Sequence, residues 1–248
     1  MAGAGQKQIG FSRALAGALL LEADEFFDRA LVLFLIRTPL RATFASSWAS
    51  VAVYYSNYFS ATSFNRLHLH GVTHLAGGAS YEIEPVLGRA LQLQVTQRNR
   101  RLGHREIWKQ YYSLVTQMAW PSYTEVALLA PTTTGLQYRE QDFRERVNYR
   151  PGEGFAEIHF SAARYRDTVQ DVRTIDRSLP VEPLSDDAYN DRLARERLGH
   201  VARLMKRLEE HRVDPDIEAH RWRQRDALVE RYGASATERR FARAILAG

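Results

Sequence analysis

The chain has 248 residues, with 34 Lys and Arg against 29 Asp and Glu and a formal net charge of +5. A hydrophobic fraction of 45% and a charged fraction of 25% are ordinary for a globular protein, so a disordered tail is excluded and one domain, with or without a helical appendage, is expected. The absence of cysteine excludes disulfides, thiolate metal ligands and cysteine nucleophiles.

Two long helices are predicted at the start of the chain. Apolar residues recur at three- and four-residue spacing from about Phe11 to Arg37, and Pro39 is expected to end this helix. A second helix is predicted from about Arg41 to Leu67. Apolar or small residues lie nearly all round it, with Trp48 on its apolar face, so we expect it to occupy the centre of the fold.

The apolar stretches of these helices are short. Ala14 to Leu21 and Ala30 to Ile36 both fall well below the about 18 to 20 residues of a membrane-spanning helix. The first stretch runs directly into Glu22 and Asp24, which does not resemble a signal-peptide cleavage region. We therefore expect a cytoplasmic protein with no membrane partner.

The middle of the chain changes pattern at His68. Glycines punctuate the next residues, and the alternation around Leu93 and Val95 predicts a short β-ribbon inserted within residues 68–103. Helices are predicted again from about His104 to Trp120 and from Phe155 to Arg173.

The last part of the chain is highly charged. Residues 179–187 contain two prolines and are predicted to be a linker, and residues 188–248 form a charged helical extension of the core at 1–178. We expect the extension to fold back onto the core, and the alternative is a docking hairpin for a partner. The predicted fold is mainly α, an antiparallel helical bundle with a short β-ribbon insertion and a C-terminal helical extension.

Three histidines lie within seven residues at His68, His70 and His74. Three imidazoles can bind zinc, and a metal-dependent hydrolase is one hypothesis. However, no aspartate follows the histidines and no further carboxylate is nearby, and His70 and His74 can simply share one face of a frayed helix end. We therefore expect no metal and no cofactor.

A basic segment runs from Arg98 to Arg105. Between Arg98 and Tyr112 there are five basic residues and one acid. A histidine can exchange a proton with a ribose hydroxyl, an arginine can stabilise a charged phosphorane, and an asparagine can orient either group. The candidate catalytic residues are Arg98, Asn99 and His104, and the candidate RNA-binding residues are Arg100, Arg101 and Arg105. The alternative is a solvated loop that starts a helix.

A second polar segment precedes a Pro-Gly turn. Its side chains can bind phosphate and base, and they can equally cap a helix and pair with nearby acids. The candidate RNA-binding residues here are Arg144, Arg146, Asn148 and Tyr149.

The common enzyme signatures are absent from the sequence. It has no Walker A motif, no dinucleotide-binding glycine fingerprint, no Gly-x-Ser-x-Gly elbow and no His-Glu-x-x-His.

The segment from Trp48 to Thr62 combines small residues with a Tyr-Tyr and Tyr-Phe cluster, and it resembles the central helix of HEPN-like proteins. The stretch from Arg144 to Tyr149 is similar to the Arg-x-x-x-Asn/Asp-Tyr signature of that group. The resemblance spans roughly residues 11–175. It implies a helical up-and-down bundle, frequent homodimers, and RNA cleavage or nucleotide binding, often in phage defence or toxin–antitoxin systems.

Active members carry an Arg-x4–6-His motif at the dimer interface, and the span from Arg98 to His104 matches that spacing. The sequence departs from the pattern at Gly103, where a continuous helix is expected, and His159 lies too far beyond Arg144. The resemblance thus implies an RNA-binding or RNA-cleaving protein with a protein partner or a second copy of itself. The alternative is a catalytically inactive scaffold or interaction subunit of a larger complex.

Overall fold

The computed structural model describes residues 5–10, 13–42, 46–74, 79–86, 92–117, 139–149, 186–209 and 215–247. The predicted helix at Phe155 to Arg173 and most of the predicted linker lie outside these residues. The helices are α1 Arg13–Ala42, α2 Ser46–Leu67, α3 His104–Gln117, α4 Arg139–Tyr149, α5 Asp186–Glu209, α6 Pro215–Tyr232 and α7 Ala236–Ala247. The strands are β1 Gln6–Gly10, β2 Gly71–His74, β3 Ser80–Pro85 and β4 Gln92–Arg98.

This arrangement confirms the prediction of a mainly helical fold with a short β insertion. The strands form one antiparallel sheet in the order β1-β4-β3-β2. Strand β1, which the sequence pattern did not reveal, extends the predicted ribbon by pairing Gln6 with Thr96 and Gly10 with Gln92. In the described residues, no helix combines the length and the hydropathy needed to cross a bilayer.

Helix α2 occupies the centre of the bundle, with α1, α3, α4 and α5 packed around it. Short polar side chains permit close approach to α1. Ser56 Oγ donates to Ala30 O at 2.8 Å, and two turns later Ser63 Oγ donates to Ala23 O at 2.8 Å. Because a buried hydroxyl without a partner costs about 1–3 kcal/mol, these bonds make the small polar face of α2 compatible with burial.

Trp48 does not belong to the buried face, contrary to the prediction. Its side chain is 66% exposed, whereas Val51 packs against Phe143 and Val147 of α4. Periodicity shows which side of a helix is apolar, but it does not show how far along the helix the neighbouring elements cover that side.

The prediction that Pro39 ends the first helix is also wrong, because α1 continues to Ala42. A proline inside a helix removes one hydrogen bond and costs about 3 kcal/mol. Tertiary contacts hold this last stretch: Arg37 Nε donates to Asp191 Oδ1 at 2.6 Å, and Thr38 Oγ1 donates to Glu238 Oε1 at 2.6 Å. The start of α2 consequently moves from the predicted Arg41 to Ser46.

Helix α2 ends in a Schellman motif built around a leucine. Leu69 has a φ of 60°, the left-handed conformation that glycine usually supplies at this position. The Leu69 amide donates to Arg66 O at 3.0 Å and the His70 amide donates to Asn65 O at 2.8 Å. The chain then enters β2, so the alternative in which His70 and His74 share one face of a frayed helix end does not apply.

The C-terminal helices share the core of the bundle. Leu193, Leu198 and Val201 of α5 lie in the same buried cluster as Phe27 of α1 and Tyr54 of α2. Helix α5 begins at Asp186, inside the predicted linker.

A fully buried ion pair joins four helices at the centre of this core. Arg197 of α5 and Glu140 of α4 form a two-bond pair in which Nη2 lies 3.0 Å from Oε2. The remaining donors of Arg197 are used as well, because Nη1 bonds Asn57 Oδ1 of α2 at 2.8 Å and Nε bonds Tyr111 Oη of α3 at 3.2 Å. Burial alone would lower the pKa of Arg197, but Glu140 raises it, so the pair stays ionised.

We predict that Glu140→Gln destabilises the fold by about 3–5 kcal/mol, because it leaves the Arg197 charge buried without a counter-charge. Urea unfolding followed by circular dichroism measures the change. Glu25→Gln, in an exposed 3.7 Å pair with Arg29, is the matched control and should move the midpoint little. Equal effects of the two variants would contradict a structural role for the buried pair.

Candidate functional site

His104 is positioned by the first turn of α3. Glu106 Oε2 accepts the Gly103 amide at 2.9 Å, which is one half of a capping box with Gly103 at the N-cap. Glu106 Oε1 also pairs with Arg100 Nη2 at 2.7 Å. Gly103 therefore begins the helix, and the span from Arg98 to His104 runs through a strand end, a loop and a helix start rather than along one helix.

The ring of His104 is held by tyrosines of α2. Its Nδ1 lies 2.8 Å from Tyr54 Oη, and its ring stacks on Tyr58 with centroids 4.1 Å apart. Tyr55 meets the same ring edge-on at 5.9 Å. The aromatic cluster that prompted the family resemblance therefore supports the candidate histidine.

Arg144 brings the second predicted segment to the same place. Its guanidinium lies over the Tyr54 ring, 5.4 Å from the centroid. Partial burial, followed by the Arg144 charge, lowers the pKa of His104. Because a free histidine has a pKa of about 6.5, His104 is neutral at pH 7 and able to accept a proton.

A pocket of about 550 Å³ lies beside His104, and we call it the His104 pocket. Its walls combine aromatic and aliphatic side chains with two arginines and two histidines. The described lining residues are Phe26, Tyr58, Thr62, Arg66, Val72, His74, Arg101, Leu102, Gly103, His104 and Ile107.

The two arginines of the pocket differ in availability. Arg66 is buried, pairs with Glu22 Oε2 at 2.6 Å and donates to Val72 O at 2.8 Å, so it is part of the wall. Arg101 is exposed at the mouth, and no described carboxylate lies within 4.0 Å of it. Among the described lining residues, Arg101 is thus the arginine that an anionic ligand can reach.

Other predicted residues lie around this pocket rather than in it. Arg98 pairs with Glu82 Oε2 of β3 at 2.8 Å, and it is not among the described lining residues. Asn99, Arg100 and Arg105 are exposed, and none of them is among the described lining residues. The side chains of Arg146, Asn148 and Tyr149 lie outside the described residues.

The histidine triplet divides among three environments. His68 Nδ1 donates to Phe64 O at 2.9 Å, His70 is half-buried next to the sheet, and His74 Nδ1 lies 2.8 Å from Ser80 Oγ. In the described part of the chain no three metal-ligating side chains converge. His74 and Tyr58 are pocket residues that the site prediction did not include, although His74 stood out in the sequence as part of the triplet.

No protein-family model, curated protein or solved structure matches this chain. The resemblance to HEPN-like proteins therefore stays a prediction.

Two partly buried histidines make stability depend on pH. Burial first, and nearby cations and His68 second, lower the pKa of His200 to about 4, and burial with His68 lowers the pKa of His70 to about 4. In the unfolded chain both histidines have a pKa of about 6.5. Between pH 4 and this value the unfolded chain therefore binds more protons than the folded chain. Stability should therefore be full above pH ~6.5 and fall as the pH drops towards 4.

The urea midpoint measured from pH 7.5 to 4.5 tests this dependence. His200→Gln should flatten the curve, because its side chain does not titrate. His220→Asn, at an exposed position on α6, should leave the slope as in the wild type. A wild-type midpoint that does not fall over this range would contradict the assignment.

Proposed function

We propose that this protein binds RNA at the His104 pocket and the basic segment, and that it cleaves RNA without a metal ion. The observation that supports the proposal is the meeting of a neutral histidine, His104, with an exposed arginine, Arg101, at a pocket that has aromatic walls. His104 and Arg101 both lie in the basic segment from Arg98 to Arg105, which the sequence pattern had already indicated.

The pocket suits one unpaired nucleotide. Its volume of about 550 Å³ is of the order of small-ligand sites, and Phe26 and Tyr58 offer rings for a base. Stacking of a base on an aromatic side chain contributes about 1–3 kcal/mol and requires no particular sequence. Arg101 at the mouth can bind the adjoining phosphate, and Arg100 and Arg105 can follow the backbone of a single strand.

His104 has the properties of a proton-transfer residue. To accept a proton at Nε2, the ring must carry its hydrogen on Nδ1 and donate it to Tyr54 Oη at 2.8 Å. Burial, followed by the charge of Arg144, lowers the pKa of His104 and so keeps the base form populated at neutral pH. With Arg98 bound to Glu82, we assign the phosphate-stabilising role to Arg101 and leave Arg98 and Asn99 as flanking contacts.

The resemblance further supports a biological setting in phage defence or a toxin–antitoxin system, with a second copy or a protein partner. The second candidate function is a catalytically inactive scaffold. It is favoured by the exposed Trp48, at 66%, on α2, and by the ion pairs that occupy Arg98 and Arg100.

Cleavage of a long single-stranded RNA in the presence of EDTA tests the proposal. His104→Asn retains a polar atom near the Nδ1 position for Tyr54 but removes Nε2, so we expect the rate to fall by a factor of about 10²–10⁴. His220→Asn on α6 is the matched control and should cleave like the wild type. Equal cleavage by His104→Asn and the wild type would move the site elsewhere. RNA binding without cleavage in any variant would favour the scaffold.

Arg101→Gln tests the phosphate contact by binding alone. We expect weaker binding of a fluorescent single-stranded RNA and a salt dependence reduced by about one phosphate contact. Arg223→Gln, an exposed arginine on α6, should change neither quantity. An unchanged salt dependence for Arg101→Gln would place the phosphate away from the pocket mouth.

A further inference from the structure

The His104 pocket contains a second histidine with a matching arrangement. His74 is the last residue of β2, and its Nδ1 lies 2.8 Å from Ser80 Oγ. His104 Nδ1 lies the same 2.8 Å from Tyr54 Oη. In each ring a protein hydroxyl occupies Nδ1, and Nε2 is the nitrogen left for a ligand.

Ser80 fixes His74 relative to the loop that leads into α3. His74 and Ser80 are directly opposed in the antiparallel pairing of β2 with β3. Ser80 is fully buried, and its Oγ also accepts the Leu102 amide at 3.0 Å. Since Leu102 lies between Arg101 and His104 in the sequence, one hydroxyl holds both His74 and the loop that leads into His104.

We propose that His74 is the second proton-transfer residue of this site, acting as general acid where His104 acts as general base on a single-stranded RNA. The inference rests on the proposed function and names its chemistry. It also gives a role to an exposed histidine at the end of a strand, whose Nδ1 is held by a buried serine.

The reaction is a transesterification in which every atom is accounted for. His104 Nε2 takes the proton of the ribose 2′-hydroxyl, and O2′ forms a bond to the adjacent phosphorus. The bond from phosphorus to the 5′-oxygen breaks, and protonated His74 gives its proton to that oxygen. The products are a 2′,3′-cyclic phosphate and a free 5′-hydroxyl, and no oxidant, metal ion or water takes part in this step.

The charges around the pair are consistent with these roles. Arg101 at the mouth can balance the charge that develops on the non-bridging oxygens. Arg66 faces the same pocket but is neutralised by Glu22, and Arg144 acts on His104 from α4. A bound phosphate diester adds negative charge to the pocket, and this charge favours the protonated form of a histidine that contacts it.

Two substrates separate acid catalysis from a structural effect. Cleavage of the dinucleotide UpA needs an acid, because its 5′-oxygen is a poor leaving group. Cleavage of uridine 3′-(4-nitrophenyl phosphate) does not need one, because 4-nitrophenolate leaves without a proton. His74→Asn should lower kcat/KM for UpA at least 100-fold and remove the high-pH limb of its pH profile. The same variant should cleave the nitrophenyl ester within about fivefold of the wild type, while His104→Asn should lose both reactions.

Each remaining outcome overturns a distinct claim. If the wild type and His74→Asn cleave UpA equally while His104→Asn does not, the role of His74 is wrong and the proposed function stands. If His74→Asn loses both substrates equally, His74 is a positioning residue and not the acid. If the wild type cleaves neither substrate, the proposed cleavage fails together with this inference, and His220→Asn verifies that an exposed histidine substitution is otherwise harmless.

Discussion

The buried pair between Arg197 and Glu140 is the interaction on which the arrangement of helices depends. It links α4 and α5 directly and reaches α2 and α3 through Asn57 and Tyr111. Two charges removed from water are stable only when every donor and acceptor finds a partner, so their geometry allows little variation. The pair therefore ties α5 to the three helices that carry Tyr54, His104 and Arg144.

Two other groups of buried ion pairs hold helices together at the ends of the bundle. Asp191 of α5 accepts from Arg37 and Arg41, which also holds the part of α1 beyond Pro39. Asp24 of α1 pairs with Arg225 of α6 at 3.0 Å. Burial works against the charge of Asp191, but the surrounding arginines hold the pKa of its carboxyl well below the usual range. The charged C-terminal sequence thus docks the last helices onto the core through buried ion pairs as well as apolar contacts.

Local patterns in the sequence predicted the features that depend on the burial of a single segment. The all-round apolar character of α2 predicted its central position, and the alternation around Leu93 and Val95 predicted the ribbon, because both patterns reflect burial of the segment itself. The same reasoning failed at Pro39. The local penalty of this proline is outweighed by the contacts of Arg37 and Thr38 to Asp191 and Glu238, which no short window of the sequence contains.

The candidate site likewise contains residues that the sequence revealed and residues that only the fold brings together. Arg101 and His104 are close in sequence, so the basic segment revealed them. His74 joins them only through the pairing of β2 with β3 and the bond from Ser80 to Leu102, and Arg144 only through α4 packing on α2. Partners that are brought together by the fold from distant segments carry no spacing signal.

If His74 and His104 act on one RNA linkage, both rings must contact the same phosphate. NMR of the imidazole resonances measures this contact most directly. Titration of the isotope-labelled protein with uridine 3′-monophosphate should shift the imidazole resonances of His74 and His104 and leave those of the exposed His220 in place. Unshifted resonances of both rings at saturating nucleotide, or a shift shared equally by His220, would contradict the account.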